Sequence, residues 1–104
     1  MRLNDVPEVR GMRLLKRWLS AEQFAQLDAF NFFDVKGCHT ARTYRIHHAA
    51  CQNVELLDEV GRAIERLCFI PDGYLVPGDV MLAQKIALET DELAALTVAN
   101  RFAA

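Results

Sequence analysis

The chain lacks the features that mark membrane and secreted proteins. No apolar run in its 104 residues approaches the length needed to cross a bilayer. The first residues also lack the apolar core of a signal peptide. Its three cysteines are an odd number and include no Cys-x-x-Cys pair, which favours reduced thiols. We therefore expect a cytoplasmic protein without membrane contact.

The familiar catalytic motifs are missing as well. The sequence contains no Gly-rich phosphate loop, no Gly-x-Ser-x-Gly elbow and no His-Glu-x-x-His pair, so the commonest signs of nucleotide, acyl-transfer and zinc chemistry are absent. Charge is modest too, because residues 1–48 carry +3 and residues 49–104 carry −5. This balance is far below the basic footprint of a dedicated nucleic-acid-binding protein.

What the chain does have is enough apolar material for one folded domain. A content of 52% hydrophobic and 25% charged residues is ordinary for a globular protein. At 104 residues the chain can bury one modest core. We predict a single domain over residues 1–104, with residues 1–7 as a loose lead-in.

Residues 8–30 are predicted to form two helices. Pro7 suits the first position of a helix, and apolar residues recur after it at helical spacing. Ser20 and Gln23 then match a capping box, in which each side chain satisfies the other residue's backbone amide. The second helix is expected to bury Phe24.

Four short segments separated by polar or glycine-containing breaks predict an antiparallel meander. The second segment alternates cleanly, placing Tyr44 and Ile46 on one face and Arg45 and His47 on the other. The short connections exclude parallel pairing, which needs long crossovers. The strands are predicted at residues 32–35, 42–47, 53–58 and 63–70, within a meander spanning 32–70.

The longest predicted helix covers residues 79–102. Asp79 is expected to cap it, and no Pro or Gly interrupts it. Its apolar residues fall on two opposite stripes, which is typical of a helix covered on both sides. One cover would be the sheet, and the other either the N-terminal helices or a second subunit. Alternatively, a fresh helix start at Thr90-Asp91-Glu92 splits the segment in two.

Together these elements predict an α+β fold: two N-terminal helices, a four-stranded antiparallel meander and a long C-terminal helix packed on the sheet. The two-sided helix favours a small non-enzymatic protein–protein interaction or regulatory module that forms a homodimer. A nucleic-acid-binding regulator is the first alternative, and an enzyme or metal protein of unknown type is the second. No cofactor is predicted.

Five segments of the sequence form a distinctive set: Phe33-Asp-Val-Lys-Gly37, Arg42-Thr-Tyr-Arg-Ile46, Asn53-Val-Glu-Leu-Leu57, Leu67-Cys-Phe-Ile-Pro71 and Gly78-Asp-Val-Met-Leu-Ala-Gln-Lys-Ile-Ala-Leu-Glu89. With them the chain resembles a group of small uncharacterised proteins from alphaproteobacteria and related phages. The resemblance covers roughly residues 20–102 and implies no activity. A Gly usually follows the Thr of the first hairpin turn in that pattern, whereas this chain has Ala41.

Thiol and imidazole side chains cluster in the middle of the sequence, as zinc ligands do. Cys38 and His39 lie at the start of the second predicted strand, and His47, His48 and Cys51 at its end. The eight extended residues from His39 to His47 span on the order of 26 Å, so one tetrahedral site cannot use both groups. If a metal binds, we expect His47, His48 and Cys51 to hold it. A Cys38–His39 nucleophile lacks a third orienting group in the pattern.

The outer face of the predicted sheet is the best candidate binding surface. Thr43, Arg45 and His47 are expected there, where Arg45 and His47 can contact phosphates or the acidic patch of a protein. Arg42, at the start of the same strand, is a further candidate binding residue of the nucleic-acid alternative. Arg13 and Arg17 form a second basic stripe on the first helix. No exposed aromatic side chains for base stacking are evident on this face, which disfavours nucleic acid.

Overall fold

The computed structural model describes residues 6–49, 52–69 and 76–104. It confirms an α+β fold with an antiparallel sheet. The elements in chain order are α1 (Pro7–Trp18), α2 (Ala21–Phe30), β1 (Phe32–Lys36), β2 (Thr43–His47), β3 (Val54–Leu57), β4 (Ala63–Cys68), α3 (Pro77–Thr90), α4 (Glu92–Val98) and β5 (Asn100–Ala103).

The two N-terminal helices begin where the sequence predicts. Pro7 occupies the first turn of α1. At α2 the capping box is complete, because the Gln23 amide N–H donates to the Ser20 hydroxyl at 3.1 Å and the Ser20 N–H donates to the Gln23 side chain at 3.0 Å. Helix α1 crosses α3 where Gly11 meets Gly78, and a β-carbon on Gly78 would overlap the Gly11 backbone. The glycine within α1 therefore permits a close helix crossing.

The sheet has the order β1-β2-β3-β4-β5, and every neighbouring pair is antiparallel. Its inner face packs against the helices, and the predicted alternation in β2 is confirmed, with Tyr44 and Ile46 fully buried. Because inward residues of strands β1 to β4 meet the helices, one continuous core results. The core consists of Leu15, Leu27, Phe33, Val35, Tyr44, Ile46, Val54, Leu56, Leu67, Met81, Leu82, Leu88 and Ala95.

The single helix predicted over residues 79–102 is wrong. Helix α3 starts at Pro77 without a side-chain cap from Asp79, and it ends at Thr90. Asp91 leaves helical geometry with φ −154° and ψ 61°, as the alternative split at that point anticipated. The break turns Glu92 toward the β1–β2 hairpin, where its carboxylate is bound. After α4 the chain adds β5 to β4, so the sheet has five strands rather than four.

Two further expectations need correction. Phe24 was expected to be buried, but it is 44% exposed, because α2 turns Gln23 and Leu27 toward the core instead. The fourth strand ends at Cys68 rather than at residue 70, and residue 70 lies outside the described part of the chain. Within the described residues, no helix has both the length and the apolar character to cross a membrane.

Candidate functional site

A row of polar side chains crosses the outer face of the sheet from edge to edge. The strand register places Asp34, Arg45, Glu55, Arg66 and Phe102 opposite one another on β1 to β5. Opposite partners in antiparallel strands lie close enough to interact. The row therefore alternates negative and positive charge and ends on an aromatic ring.

Arg45, one of the predicted binding residues, is held in place by two contacts. Its Nε donates to Asp34 Oδ1 at 2.9 Å and its Nη2 to Asp34 Oδ2 at 3.1 Å. This bidentate hydrogen bonding, followed by the charge of the same carboxylate, raises the pKa of Arg45 despite partial burial. The guanidinium also lies over the Phe32 ring, 4.1 Å from its centroid, which is a cation–π contact.

His47 is held against the same ring by a contact with Glu55. Its Nε2 lies 2.5 Å from Glu55 Oε1, and its imidazole is tilted against Phe32 with centroids 5.4 Å apart. Phe30, at the end of α2, stacks on Phe32 at 5.5 Å and is 65% exposed. We call Phe30, Phe32, Arg45 and His47 the aromatic–cation cluster.

The prediction that the outer face lacks exposed aromatic side chains is wrong. Phe32 points outward because the adjacent Phe33 points into the core, and α2 ends so that Phe30 stacks on it. Strand alternation through Phe32-Phe33 could have indicated one outward ring. The contribution of Phe30 depends on how α2 meets β1, which local sequence does not reveal.

The structure does not bring the remaining predicted binding residues into this cluster. Arg42 is exposed in the β1–β2 hairpin. Arg13 and Arg17 are exposed on α1, where Arg13 lines a shallow groove with Val9, Met12 and neighbouring α1 side chains. The basic residues therefore form separate surfaces rather than one.

The predicted metal ligands are only partly described. Cys51 lies outside the described residues. His47 faces Glu55 on the outer sheet face, and His48 is exposed with its backbone N–H donating to the Asn31 carbonyl at 3.1 Å. In residues 6–49, 52–69 and 76–104, no three metal-binding side chains converge.

In the described part of the chain, Glu92 has the side chain with the most hydrogen bonds. The sequence did not indicate it as a site. Its fully buried carboxylate accepts the backbone N–H groups of His39 at 2.9 Å and Thr40 at 2.8 Å. It also accepts the Thr40 hydroxyl at 2.5 Å and the Tyr44 hydroxyl at 2.6 Å. We call this set the Glu92 network.

The Glu92 network keeps its carboxylate ionised. Burial raises the pKa of Glu92, but the hydrogen bonds from Thr40, Tyr44 and the His39 backbone outweigh it and lower the pKa to about 2. Burial and the bond to Glu92 raise the pKa of the Tyr44 hydroxyl, which therefore stays protonated and donates. The network joins the hairpin to α4.

Cys38 and His39 lie beside this network, but their contacts are structural. The Cys38 Sγ is 3.5 Å from His39 Nδ1 and accepts the Glu92 backbone N–H at 3.4 Å. The same Nδ1 accepts the Leu93 backbone N–H at 3.3 Å. Because Glu92 binds the His39 backbone rather than its ring, it does not orient the imidazole as a nucleophile's base requires.

Comparisons with known proteins leave the function to be argued from these residues. No protein-family model, no curated protein and no solved structure matches the chain.

Proposed function

We propose that this protein is a non-enzymatic interaction module that binds another protein chain through the aromatic–cation cluster. The observation that carries the proposal is the exposed Phe30 ring stacked on Phe32, with Arg45 and His47 held against the same ring. Aromatic and arginine side chains supply most of the binding energy at protein interfaces. Because contacts with Asp34 and Glu55 already hold Arg45 and His47 against the ring, these two side chains lose little conformational entropy on binding.

The charges around the cluster favour a protein partner over nucleic acid. Arg45 is paired with Asp34, and His47 lies against Glu55, so each of the two side chains has a carboxylate beside it. A phosphate backbone would meet both carboxylates and be repelled. A protein surface can present both signs of charge and match the alternating row. Nucleic-acid binding stays an alternative, with Phe30 and Phe32 as the stacking residues that would support it.

Capture of partners by the immobilised full chain tests the proposal. Phe30→Ala removes the most exposed ring of the cluster and should abolish capture of any partner that the wild type retains. Val60→Ala is the matched control, because Val60 is 75% exposed but lies in the β3–β4 turn at the opposite end of the sheet. Equal capture by Phe30→Ala and wild type would contradict the proposal.

The salt dependence of binding distinguishes a protein partner from a nucleic-acid partner. Retention of a protein through aromatic contact should change little as salt is raised, whereas binding to nucleic acid weakens steeply because counterions are released. A captured species that contains nucleic acid and dissociates at high salt would support the alternative.

Self-association is the second part of the proposal. The sequence predicts a homodimer, and support comes from the C-terminal end of the sheet, where all four residues of β5 are exposed. A second copy is thus proposed as one protein partner.

A further inference from the structure

Strand β5 is an open edge of the sheet. It pairs with β4 on one side, and no strand among the described residues pairs with its other side. The opposite edge strand, β1, packs against both α2 and α3. Unpaired N–H and C=O groups along an exposed edge are a template for another strand. Side chains of α2 also bind the backbone of β1, because Gln23 donates to the Asp34 carbonyl at 3.0 Å and the Asp34 N–H donates to Gln26 at 2.9 Å. Among the described residues, β5 is therefore the more open edge.

We propose that a second copy of this chain docks on β5, with the two β5 strands antiparallel about a two-fold axis perpendicular to the sheet. This assignment rests on the proposed self-association and specifies its surface. Antiparallel pairing of identical strands is self-complementary, as a two-fold interface requires. It would join two five-stranded sheets into one continuous sheet.

Symmetry and charge select the register. With a perpendicular axis, one residue of β5 must lie opposite its own copy, so the central choices are Arg101 and Phe102. Pairing Arg101 with itself places like charges opposite each other, which is destabilising. Pairing Phe102 with itself instead gives an aromatic cross-strand pair, which is stabilising. In that register Arg101 lies opposite Ala103 of the second copy.

The same register creates charge complementarity across the interface. Within one chain Glu65 lies opposite Ala103, and its carboxylate is 3.6 Å from the Arg101 guanidinium of the same chain. In the dimer, Arg101 of the second copy follows Ala103 in the same cross-strand row. The α-carbons of Glu65 and of Arg101 in the second copy are then two strand spacings apart, which is about 10 Å. The two long side chains can meet across this distance because Ala103, which lies between them, is small. The two-fold axis repeats this contact.

The dimer also extends the outer face. Phe102 ends the charged row that starts at Asp34, so the pair of Phe102 rings would join the rows of the two copies. The two aromatic–cation clusters would then lie at opposite ends of one surface. A partner protein bound there would meet two equivalent sites, which increases avidity.

Native mass spectrometry of charge-exchanged variants tests the interface. In Glu65→Arg homodimers and in Arg101→Glu homodimers, every contact between positions 65 and 101 joins like charges, so each homodimer should weaken by about tenfold or more. When the two variants are mixed, both intermolecular contacts join opposite charges, although the contact within each chain stays repulsive. A heterodimer should therefore form preferentially.

Phe102→Lys is an independent test of the interface. It changes an exposed side chain and places two positive charges opposite each other at the two-fold axis. It should be monomeric where the wild type is dimeric. A wild-type monomer would overturn both the self-association and this interface. A wild-type dimer that all three variants retain, with no preference for the heterodimer, would overturn the β5 interface and leave self-association standing.

Discussion

The carboxylate of Glu92 lies directly against Gly37, in the space that the β-carbon of any other residue would occupy. Gly37 begins the β1–β2 hairpin turn, and its N–H donates to the Arg42 carbonyl at 2.9 Å. The missing side chain lets the carboxylate reach the amides of His39 and Thr40. The contact between Glu92 and Gly37 thus joins the hairpin to α4. It explains why the last third of the chain is not one helix.

Replacing the Glu92 carboxylate should remove most of the stabilisation that the contact between the hairpin and α4 provides. Glu92→Gln keeps the shape but loses the charge. Its side-chain oxygen can still accept the His39 and Thr40 N–H groups, whereas its amide nitrogen can only donate toward the Thr40 and Tyr44 hydroxyls, which must reverse their bonds. We expect the free energy of unfolding to fall by about 3 kcal/mol, since charge-assisted hydrogen bonds are replaced by weaker neutral ones. Glu59→Gln, at an exposed turn position, should change it by less than about 0.5 kcal/mol. Urea denaturation of both variants measures the difference, and equal stabilities would contradict the role of the Glu92 network.

Acid should weaken the protein in a defined window. The pKa of Glu92 is about 2 in the folded chain and 4.5 ordinarily, so between these values the unfolded chain binds more protons. The Glu92 contribution to stability is therefore complete above pH 4.5 and is lost as pH falls toward 2. Denaturation curves across this range should show a smaller acid-dependent loss in Glu92→Gln than in the wild type. Parallel pH profiles would contradict the assignment.

The hairpin contains a correctable strain at Ala41. Its φ is 60°, a left-handed conformation that L residues with a β-carbon disfavour. Ala41→Gly should relieve this strain and raise the free energy of unfolding by about 0.5–1 kcal/mol after the added chain entropy is counted. Ala25→Gly, at an exposed position within α2, should instead lower it by up to about 1 kcal/mol. Thermal unfolding distinguishes the two, and destabilisation by both would refute the strain.

A second buried polar contact ties β3 to α3. Gln84 donates to Asn53 Oδ1 at 2.9 Å and to the Phe69 carbonyl at 3.0 Å, and it accepts from Asn53 Nδ2 at 2.8 Å. Gln84→Ala removes the donor to Asn53 Oδ1 and to the Phe69 carbonyl and leaves a cavity, although Asn53 Nδ2 keeps its bond to the His47 carbonyl at 3.1 Å. We expect the free energy of unfolding to fall by about 3 kcal/mol. The same change in an Asn53→Ala background should cost less, because the partner is already gone. A double-mutant cycle measures this coupling, and strict additivity would contradict it.

Local signals predicted the first two-thirds of the fold well. The capping box at Ser20 and the alternation around Tyr44 each depend on a few neighbouring residues, and both are confirmed. The C-terminal segment differs because its Ala- and Leu-rich composition favours a helix, yet Glu92 bonds to residues of a distant hairpin. Tertiary hydrogen bonding therefore outweighs local propensity at Asp91. Strand β5 likewise forms only because β4 offers it an edge.

The candidate site was predictable only in part. Arg45 and His47 were placed on the outer face by strand alternation. Their carboxylate partners, Asp34 and Glu55, come from neighbouring strands, so they depend on the sheet register. The exposed Phe30 depends on how a helix ends against a strand. Contacts of this kind between elements are not encoded in local periodicity.

Sedimentation equilibrium of the full chain tests most directly whether this protein presents its surfaces to other protein chains, the first of them a second copy. We expect the weight-average mass to approach twice the chain mass of 11.8 kDa as concentration rises. Phe102→Lys should remain at the mass of one chain. A wild-type mass of one chain at every concentration would contradict the proposed self-association.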